Sequence, residues 1–344
     1  MIGPLGRTAY VLSQGARVGL YWSQYLLSAR MTARIKPDKP VEGPFPDRQA
    51  ILADLRALLE RDLHNIEAGL YRLPHDLAEG PMRALGQARR YFADLPEVER
   101  RRRDRVTQEV FETGGEAGRF PRYYLQNFHF QTDGYLSRHS AELYDHQVEV
   151  LFAGGADAMR RQVLVPLHDF LQARRVRASR LLDVGCGTGR FLGFVKDNYP
   201  RLAVTALDLS PAYLAQAKRQ LRSWRGIDFH AAPAEASGLP DASHDVASAI
   251  FLFHELPRKV RRQVAAELHR ILKPGGLLLF VDSLQRGDHP DYDGLLALFP
   301  HAFHEPYYAD YTRQDLSALF EDAGFAVEQV ERAFFSRVMV MRRI

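Results

Sequence analysis

The residues Leu181-Leu182-Asp183-Val184-Gly185-Cys186-Gly187-Thr188-Gly189 bring together a carboxylate, a thiol and glycine at every second position. Glycine at 185, 187 and 189 lets the backbone bend sharply and lets a ligand lie against bare main chain. A helical pattern follows at once, with Phe191, Leu192, Phe194 and Val195 inside Arg190 to Asn198. The unpaired N–H groups of that helix's first turn point at the same spot and favour an electron-rich group. The spacing is G-x-G-x-G, and Arg190 stands where a dinucleotide fingerprint needs its third glycine. The phosphate-cradling pattern G-x-x-x-x-G-K-[ST] is absent as well. A second apolar run, Leu202 to Leu207, ends in Asp208. A carboxylate at the tip of the second strand of an open α/β sheet sits at the ligand crevice, placed to accept two hydrogen bonds from a ribose diol. Together these features read as a nucleoside-bearing cofactor site that is not a dinucleotide site.

Other residues able to do chemistry are more scattered. His254 lies in Phe251-Leu252-Phe253-His254-Glu255-Leu256, at the mouth of a further apolar run. It is either a general base or a structural histidine capping the next helix. Cys186 is the single cysteine. With no base beside it, it reads as a small residue chosen for fit rather than a nucleophile. Phe120 to Gln131 holds five aromatics in twelve residues and follows neither a helical nor a strand period. It is either a loop anchored in the core or a substrate wall whose polar members are Tyr123, Tyr124 and His129. A second aromatic, histidine-rich stretch runs from His289 to Tyr311 and includes His301, His304, Tyr307 and Tyr308. No metal-ligand spacing is read in the chain.

The elements that must hold these groups follow from periodicity. Asp47 is a credible N-cap for a helix carrying Ile51, Leu55, Leu58, Leu59, Leu63, Ile66 and Leu70. Further helices are expected over Pro81–Phe92, Glu97–Phe111, Ser137–Phe152 and Asp157–Arg175, ahead of the glycine loop. Arg100 to Arg103 with Arg105 would invite a nucleic-acid reading, but Glu97, Glu99, Asp104 and Glu109 interleave them, as on a solvated helix face. Thr312 to Ala323 reads as a helix closed by Gly324, and Phe325–Ala333 with Ser336–Met341 as a terminal strand pair.

In this order the elements from about Arg180 to the end resemble the class I S-adenosylmethionine-dependent methyltransferases, in the small-molecule branch that includes the quinone C-methyltransferases. Beyond the glycine loop and Asp208, the resemblance rests on Asp228–Glu235, on Leu239-Pro240-Asp241-Ala242-Ser243-His244-Asp245-Val246, on Ala247–Leu256 and on Ile271-Leu272-Lys273-Pro274-Gly275-Gly276-Leu277 before a fifth strand at Leu278–Val281. It implies an α/β fold: a Rossmann-like seven-stranded, mostly parallel sheet with helices on both faces, preceded by an α-helical N-terminal domain. It implies S-adenosyl-L-methionine as cofactor, with S-adenosyl-L-homocysteine as product. Cofactor contacts are then expected from Asp183, Gly185, Cys186, Gly187, Gly189, Asp208, Leu209, Ala234 and Phe251. His254, His129 and Tyr307 become the catalytic candidates, and Tyr123, Tyr124, His301, His304 and Tyr308 the substrate candidates. One departure is that Ala232-Pro233-Ala234-Glu235 has proline where aspartate is common, which leaves adenine recognition to the backbone near Ala234.

Composition sets outer bounds. A chain of 344 residues calls for a main domain plus an elaboration. We divide it into residues 1–46 (an amphipathic helix and a Pro-rich linker at Pro37, Pro40, Pro44 and Pro46), 47–177 (a helical domain supplying a substrate lid) and 178–344 (the cofactor-binding domain). In the first part Val11, Gly15, Val18, Trp22, Tyr25 and Ala29 form one helical stripe, with Ser13, Arg17, Gln24 and Ser28 opposite. No run of some twenty apolar residues occurs, so the segment is not expected to span a bilayer, and no signal-peptide cleavage site follows it. Residues 8–30 are expected to contact either the protein or a sister subunit, or a membrane surface. A single cysteine fits a reducing compartment, hence a cytoplasmic location with or without peripheral membrane contact. A net charge of +4 is mild and calls for no nucleic-acid partner. The loop at Phe251–Leu256 also lacks the Asn/Asp-Pro-Pro-Tyr/Phe pattern of nucleic-acid base N-methylation. The expected activity is in-line methyl transfer to a small or hydrophobic molecule. The alternatives are a non-catalytic S-adenosylmethionine-binding protein and a protein or peptide methyltransferase.

Overall fold

Seven strands form one sheet: β1 (Arg180–Val184), β2 (Ala203–Asp208), β3 (Ile227–Ala231), β4 (His244–Ile250), β5 (Leu272–Ser283), β6 (Phe325–Ala333) and β7 (Ser336–Arg343). Their order is β3-β2-β1-β4-β5-β7-β6, parallel except for β7, which runs antiparallel to both β5 and β6. The computed structural model describes residues 2–33, 40–77, 81–113 and 119–344.

Ahead of the sheet come α1 (Pro4–Met31), α2 (Arg48–Glu67), α3 (Pro81–Asp104), α4 (Glu109–Thr113), α5 (Arg138–Leu151), α6 (Ala156–Arg161) and α7 (Leu164–Gln172). Between and after the strands lie α8 (Arg190–Asn198), α9 (Pro211–Gln220), α10 (Arg258–Ile271), α11 (Asp293–Ala302), α12 (Tyr308–Tyr311) and α13 (Leu316–Asp322). The central strands are buried on both faces, as parallel strands under crossover helices must be. Alternate residues feed two cores. Leu181, Val204, Val246, Leu277 and Leu279 pack with Leu55 and Ile66 of α2, Met159 of α6, Leu164 of α7 and Phe194 of α8. Leu182, Leu207, Ala247, Leu278 and Phe280 pack with Val264 and Leu268 of α10 and Phe320 of α13. Helices α1, α2, α6 and α7 therefore share one continuous core with the sheet face they cover.

Several boundaries differ from the sequence-based expectation for local reasons. The two helices expected at 81–92 and 97–111 are one helix, α3, running through Pro96 and followed by the short α4. Proline deletes one hydrogen bond there, and buried Leu95 anchors the continuous helix. The helix expected over Asp157–Arg175 is broken into α6 and α7. Pro166 accounts for the break, since its ring clashes with the carbonyl four residues earlier, at Gln162. The turn at Lys273-Pro274-Gly275-Gly276 is absorbed into β5, whose pairing with β4 shifts register between His244 and Val246. The proposed linker is tied to the body by Gly294 N–H donating to the Pro44 carbonyl at 2.9 Å; Pro37 lies outside the described residues.

The N-terminal helix is turned away from its expected orientation. The 28-residue α1 buries Tyr10, Gln14, Tyr21, Gln24 and Ser28, while Leu5, Val11, Leu12, Leu20, Tyr25, Leu27 and Met31 are exposed. Of the expected stripe, Val18 and Trp22 pack partly against the core. The inward polar groups find partners on other helices: Tyr10 donates to Asp62 at 2.5 Å, Gln24 Oε1 lies 2.7 Å from His146 Nε2, and Arg17 donates to Asp157 at 2.5 Å; Gln24 Nε2 and Arg17 Nε have no hydrogen bond among the described residues. The polar inner face is specified by charges on other elements, which helical periodicity does not encode. No helix among the described residues is long and apolar enough to cross a membrane.

Candidate functional site

Register places the working loops together. Val184 at the end of β1 is level with Leu207 of β2 and Ala249 of β4, so the segments after all three strands open on one crevice beside the switch point of the sheet. The glycine loop follows β1 with φ values of 67° at Gly185, 54° at Gly187 and 78° at Gly189. A Cβ on Gly189 would lie 2.7 Å from Leu221 Cδ1 and 3.2 Å from Ala217 Cβ, so this glycine serves the packing of α8 on the α9 region. A Cβ on Gly187 would meet nothing nearer than 4.0 Å. Its open side faces the crevice, where a ligand would lie. Of the three glycines, 185 and 187 border the cavity and 189 is not among the lining residues.

Asp208 ties the second strand to this loop. Its Oδ2 accepts from Gly187 N–H and its Oδ1 from Ser210 N–H, both at 2.8 Å. Burial raises its pKa to about 6 despite those backbone donors. Asp183 borders the cavity from β1 and accepts from Ser248 Oγ at 2.7 Å; burial raises its pKa to about 7. Burial also pushes the Cys186 thiol well above its ordinary value, which leaves no thiolate for nucleophilic work. Leu209, Ala234 and Phe251 complete the expected cofactor wall. Phe251 is held at φ 54° and stacks on Phe152. Glu235 does not border the cavity; its two carboxylate oxygens accept from Tyr123 OH at 2.7 and 2.8 Å, clasping the aromatic segment onto the turn after β3.

The N-terminal helices supply the opposite wall. Tyr123 and Tyr124 come from the aromatic segment, Tyr144 and Asp145 from α5, and Arg160 from α6, with Tyr135 between them. Thr188 in the glycine loop donates to Asp145 at 2.6 Å, and Arg160 lies over the Phe251 ring at 5.2 Å. Arg190, the first residue of α8, donates to Asp157 of α6 and to Asp76, while Arg17 of α1 reaches the same Asp157. A buried charge network thus fastens the helical layer to the loop.

At the far end of the cavity stands Glu255, which accepts from Tyr135 OH at 2.6 Å. His254 lies behind it and is not a lining residue; its Nδ1 is 2.5 Å from Asp282 Oδ1 and its Nε2 is 3.7 Å from Glu255. Burial alone would lower the His254 pKa, but Asp282 outweighs it and lifts the ring to about 10, which leaves it protonated near neutrality. His129, with φ 55°, sits 2.9 Å from the buried Glu305 and 4.0 Å from Glu255.

Of the other expected residues, Tyr307 packs partly buried against the cluster of Phe128, Tyr135 and Tyr213, and Tyr308 is buried with its OH 2.6 Å from Ser283 Oγ. His304 Nε2 is 3.0 Å from Gln126 Oε1, and His301 is exposed on α11. None of these four is among the lining residues. Tyr135, Tyr144, Asp145, Arg160, Thr188, Arg190, Tyr213 and Glu255 border the cavity without having been singled out. Glu255 had a signal, as the carboxylate beside a histidine at a strand mouth. Tyr144, Asp145 and Arg160 had none, because tertiary packing alone brings them to the loop.

A family model described as a methyltransferase domain matches residues 181–276. The chain is 35% identical over 148 residues to the ubiquinone/menaquinone biosynthesis C-methyltransferase UbiE of Methylobacterium nodulans, covering 42% of this chain and 55% of that protein. It is 30% identical over 178 residues to a malonyl-[acyl-carrier protein] O-methyltransferase of Geobacter sulfurreducens, covering 50% and 65%. It is 29% identical over 167 residues to the demethylspheroidene O-methyltransferase of Rhodobacter capsulatus, covering 48% and 39%. The chain thus spans less than two thirds of each of these relatives' own length.

Proposed function

We propose that this chain, which carries a methyltransferase domain at residues 181–276, is a class I S-adenosylmethionine-dependent enzyme that methylates a small or hydrophobic molecule in the cavity between its glycine loop and Glu255. The observation that carries the reading is that the bare face of Gly187, the Asp208 carboxylate and Glu255 all border one cavity. The residues suit a cationic nucleoside donor. Asp208 would take the ribose diol, the backbone at Ala234 and the side chain of Leu209 would face the adenine, and Asp183 would take the ammonium group. Arg160, buried at the cavity wall, would face the donor's carboxylate.

When bound, the donor supplies an activated methyl: its S–CH3 bond breaks as the bond to the acceptor atom forms, leaving the neutral thioether of S-adenosylhomocysteine, while the acceptor's proton departs. The chain's own contribution is to align and enclose the reactants. Proximity and orientation alone reach effective molarities of about 10⁵–10⁸ M in favourable systems. Tyr123, Tyr124, Tyr135 and Tyr144 form an aromatic wall that excludes water and suits an apolar acceptor. Glu255, fixed by Tyr135, would accept a hydrogen bond from the acceptor's ionisable group. His254, His129 and Tyr307 act as positioning residues behind that wall, with His304 and Tyr308 supporting the same region; His301 has no such place.

The outward face of α1 supports a second contact. Leu5, Leu12, Leu20, Leu27 and Met31 are exposed along it. No acidic residue precedes Asp38, whereas Arg7, Arg17, Arg30, Arg34 and Lys36 do. An apolar face in a basic segment suits an anionic lipid surface; a second copy of the chain is the alternative occupant. The enzyme itself is tested by isothermal titration with S-adenosylmethionine, followed by a labelled-methyl screen of aqueous and lipid extracts. Donor binding with label entering a small molecule is the expected result. Binding without transfer to any extract would favour the non-catalytic alternative, label in polypeptide would favour the protein methyltransferase, and absence of donor binding would end the reading.

A further inference from the structure

Behind the acceptor wall lies a group of ionisable side chains that alignment and enclosure leave unexplained. His129 Nε2 and one carboxylate oxygen each from Glu255 and Glu305 lie within 4.8 Å of one another. His129 Nε2 is 2.9 Å from Glu305 Oε1 and 4.0 Å from Glu255 Oε1. The Glu305 side chain is 0% exposed, and neither of its oxygens accepts a hydrogen bond among the described residues. A carboxylate stripped of water, with only the His129 ring beside Oε1 and nothing beside Oε2 among the described residues, is among the costliest groups to bury. Charge makes the deficit explicit. Three carboxylates (Glu255, Glu305, Asp282) face two imidazoles (His129, His254), so with all three ionised and both rings protonated the group is one positive charge short.

Three things could supply that charge. A shared proton would neutralise one carboxylate and leave Glu305 Oε1 to His129 Nε2 at 2.9 Å, but it would not draw Glu255, Glu305 and His129 to one centre. An acceptor amine in the cavity would reach Glu255, which borders it, but not the enclosed Glu305. A metal ion serves all three groups at once. With ligand bonds of about 2.0–2.2 Å, neighbouring donors around an ion sit about 3–3.5 Å apart and opposite ones about 4.2 Å; the two His129–carboxylate separations, 2.9 and 4.0 Å, are close to these values, and all three donors lie within 4.8 Å. Mixed imidazole and carboxylate ligands suit Mn²⁺, Fe²⁺ or Zn²⁺ better than Ca²⁺. His254, oriented by Asp282 through Nδ1, is placed as a neighbouring imidazole that fixes Glu255.

We propose that His129, Glu255 and Glu305 bind a first-row divalent cation at the floor of the acceptor cavity, where it orients an oxygen-bearing acceptor. The site deepens the methyltransferase reading and rests on it for the acceptor's place, but ion binding stands on the geometry alone. Glu255 links the two, since it faces the enclosed cluster and the cavity together.

The test uses the full chain stripped with chelator, titrated with MnCl₂ alone and read by the loss of the free Mn²⁺ paramagnetic resonance signal, with ZnCl₂ competition as a second probe. One ion per chain is expected, with affinity weakened at least tenfold in Glu305→Gln and in His129→Asn. Asparagine tolerates the left-handed backbone of His129, so the second variant decides if the first does not fold. Circular dichroism and calorimetric binding of S-adenosylmethionine serve as controls. No binding of either ion at millimolar concentration, or binding unchanged in both variants, overturns the proposal. Because it removes an uncompensated buried charge, Glu305→Gln should raise the melting temperature of the ion-free protein; an unchanged melting temperature identifies a buried proton instead and also overturns the proposal. A chain that binds the donor but no ion sinks this inference alone, whereas one that binds Mn²⁺ but no donor sinks the methyltransferase reading.

Discussion

At one end of the cavity, Asp208 is held by Gly187 and Ser210, 21 and 2 residues away in the chain. At the other end, Glu255 is held by Tyr135 across 120 residues. The first end is built from main chain and one carboxylate, with geometry set by the strand–loop–helix unit itself. The second is assembled from four distant segments and retains a buried carboxylate without a hydrogen-bond donor among the described residues, beside a histidine in the left-handed region. Local construction gives a site that is rigid before its ligand arrives. Distributed construction gives one whose charges are balanced only when something else is present.

The sharpest way to separate folding from binding at the local end is to add a side chain to each of two glycines. Gly189→Val puts its Cβ into Leu221 at a φ of 78°. Overpacking of about 1–3 kcal/mol and left-handed strain of about 1–2 kcal/mol predict a loss of roughly 2–5 kcal/mol in denaturant unfolding. Gly187→Val carries the same kind of strain but meets open space, so its stability loss is near the lower end while donor binding is abolished. Equal stability losses with equal donor affinities would erase the distinction drawn between the two positions.

The distributed end is probed by Glu255→Gln. Removing the carboxylate that faces the acceptor should lower turnover by about 10²-fold or more, while the dissociation constant for S-adenosylmethionine stays within about twofold. A parallel fall in donor affinity would mean that the two ends are one site. Asp208→Ala should do the reverse, weakening donor binding by about 1–3 kcal/mol in calorimetry. Donor affinity left intact in that variant would remove Asp208 from the ribose contact.

Protonation should act on the local end first. Burial raises Asp183 to about 7 and Asp208 to about 6 in the free protein. A cationic, diol-bearing donor prefers both groups ionised, so each must lose any proton it carries before binding. Donor affinity is therefore full above about pH 8 and falls as pH drops through 7 and then 6, by about tenfold per unit for each group once below its pKa. Calorimetry from pH 8 to 5.5 reads the slope directly. A flat profile would place neither carboxylate in contact with the donor.

The same contrast explains what could be read from the chain before its fold. The helix Arg190–Asn198 and the strand pair beginning at Phe325 and Ser336 fall where periodicity and glycine spacing put them, because their signals lie within a dozen residues. Asp208 was legible for the same reason: it ends an apolar run of the right length. Tyr144, Asp145 and Arg160 were not, because each is an ordinary helical residue until α5 and α6 dock on the glycine loop. His254 drew attention by type and position, yet Glu255 beside it is the residue that borders the cavity. Which of two neighbours faces inward at that turn depends on the short 3₁₀ segment Phe253–Glu255 and on Asp282 holding the Phe253 N–H at 2.7 Å. On α1 periodicity pointed the wrong way, since the buried face is polar and its partners Asp62, His146 and Asp157 belong to other helices.

That helix supplies the smallest predicted effect on the cavity and the cleanest control. Its inner face touches the local end through Arg17 and the Asp157–Arg190 network, so truncating α1 would strip a buried charge of its partner and confound any readout. Charge placed on its outer face avoids this. Leu12 and Leu27 are 68% and 45% exposed, and Leu12→Glu with Leu27→Glu should change stability by no more than about 0.5 kcal/mol each, with donor affinity unchanged. Flotation with anionic vesicles should fall steeply in the double variant, because two acidic groups replace apolar area on the face that would enter the lipid boundary. The fall should be absent with neutral vesicles if the wild-type chain does not bind them. If the wild-type chain ignores anionic vesicles and the double variant instead changes its mass in light scattering, the outer face belongs to a sister subunit.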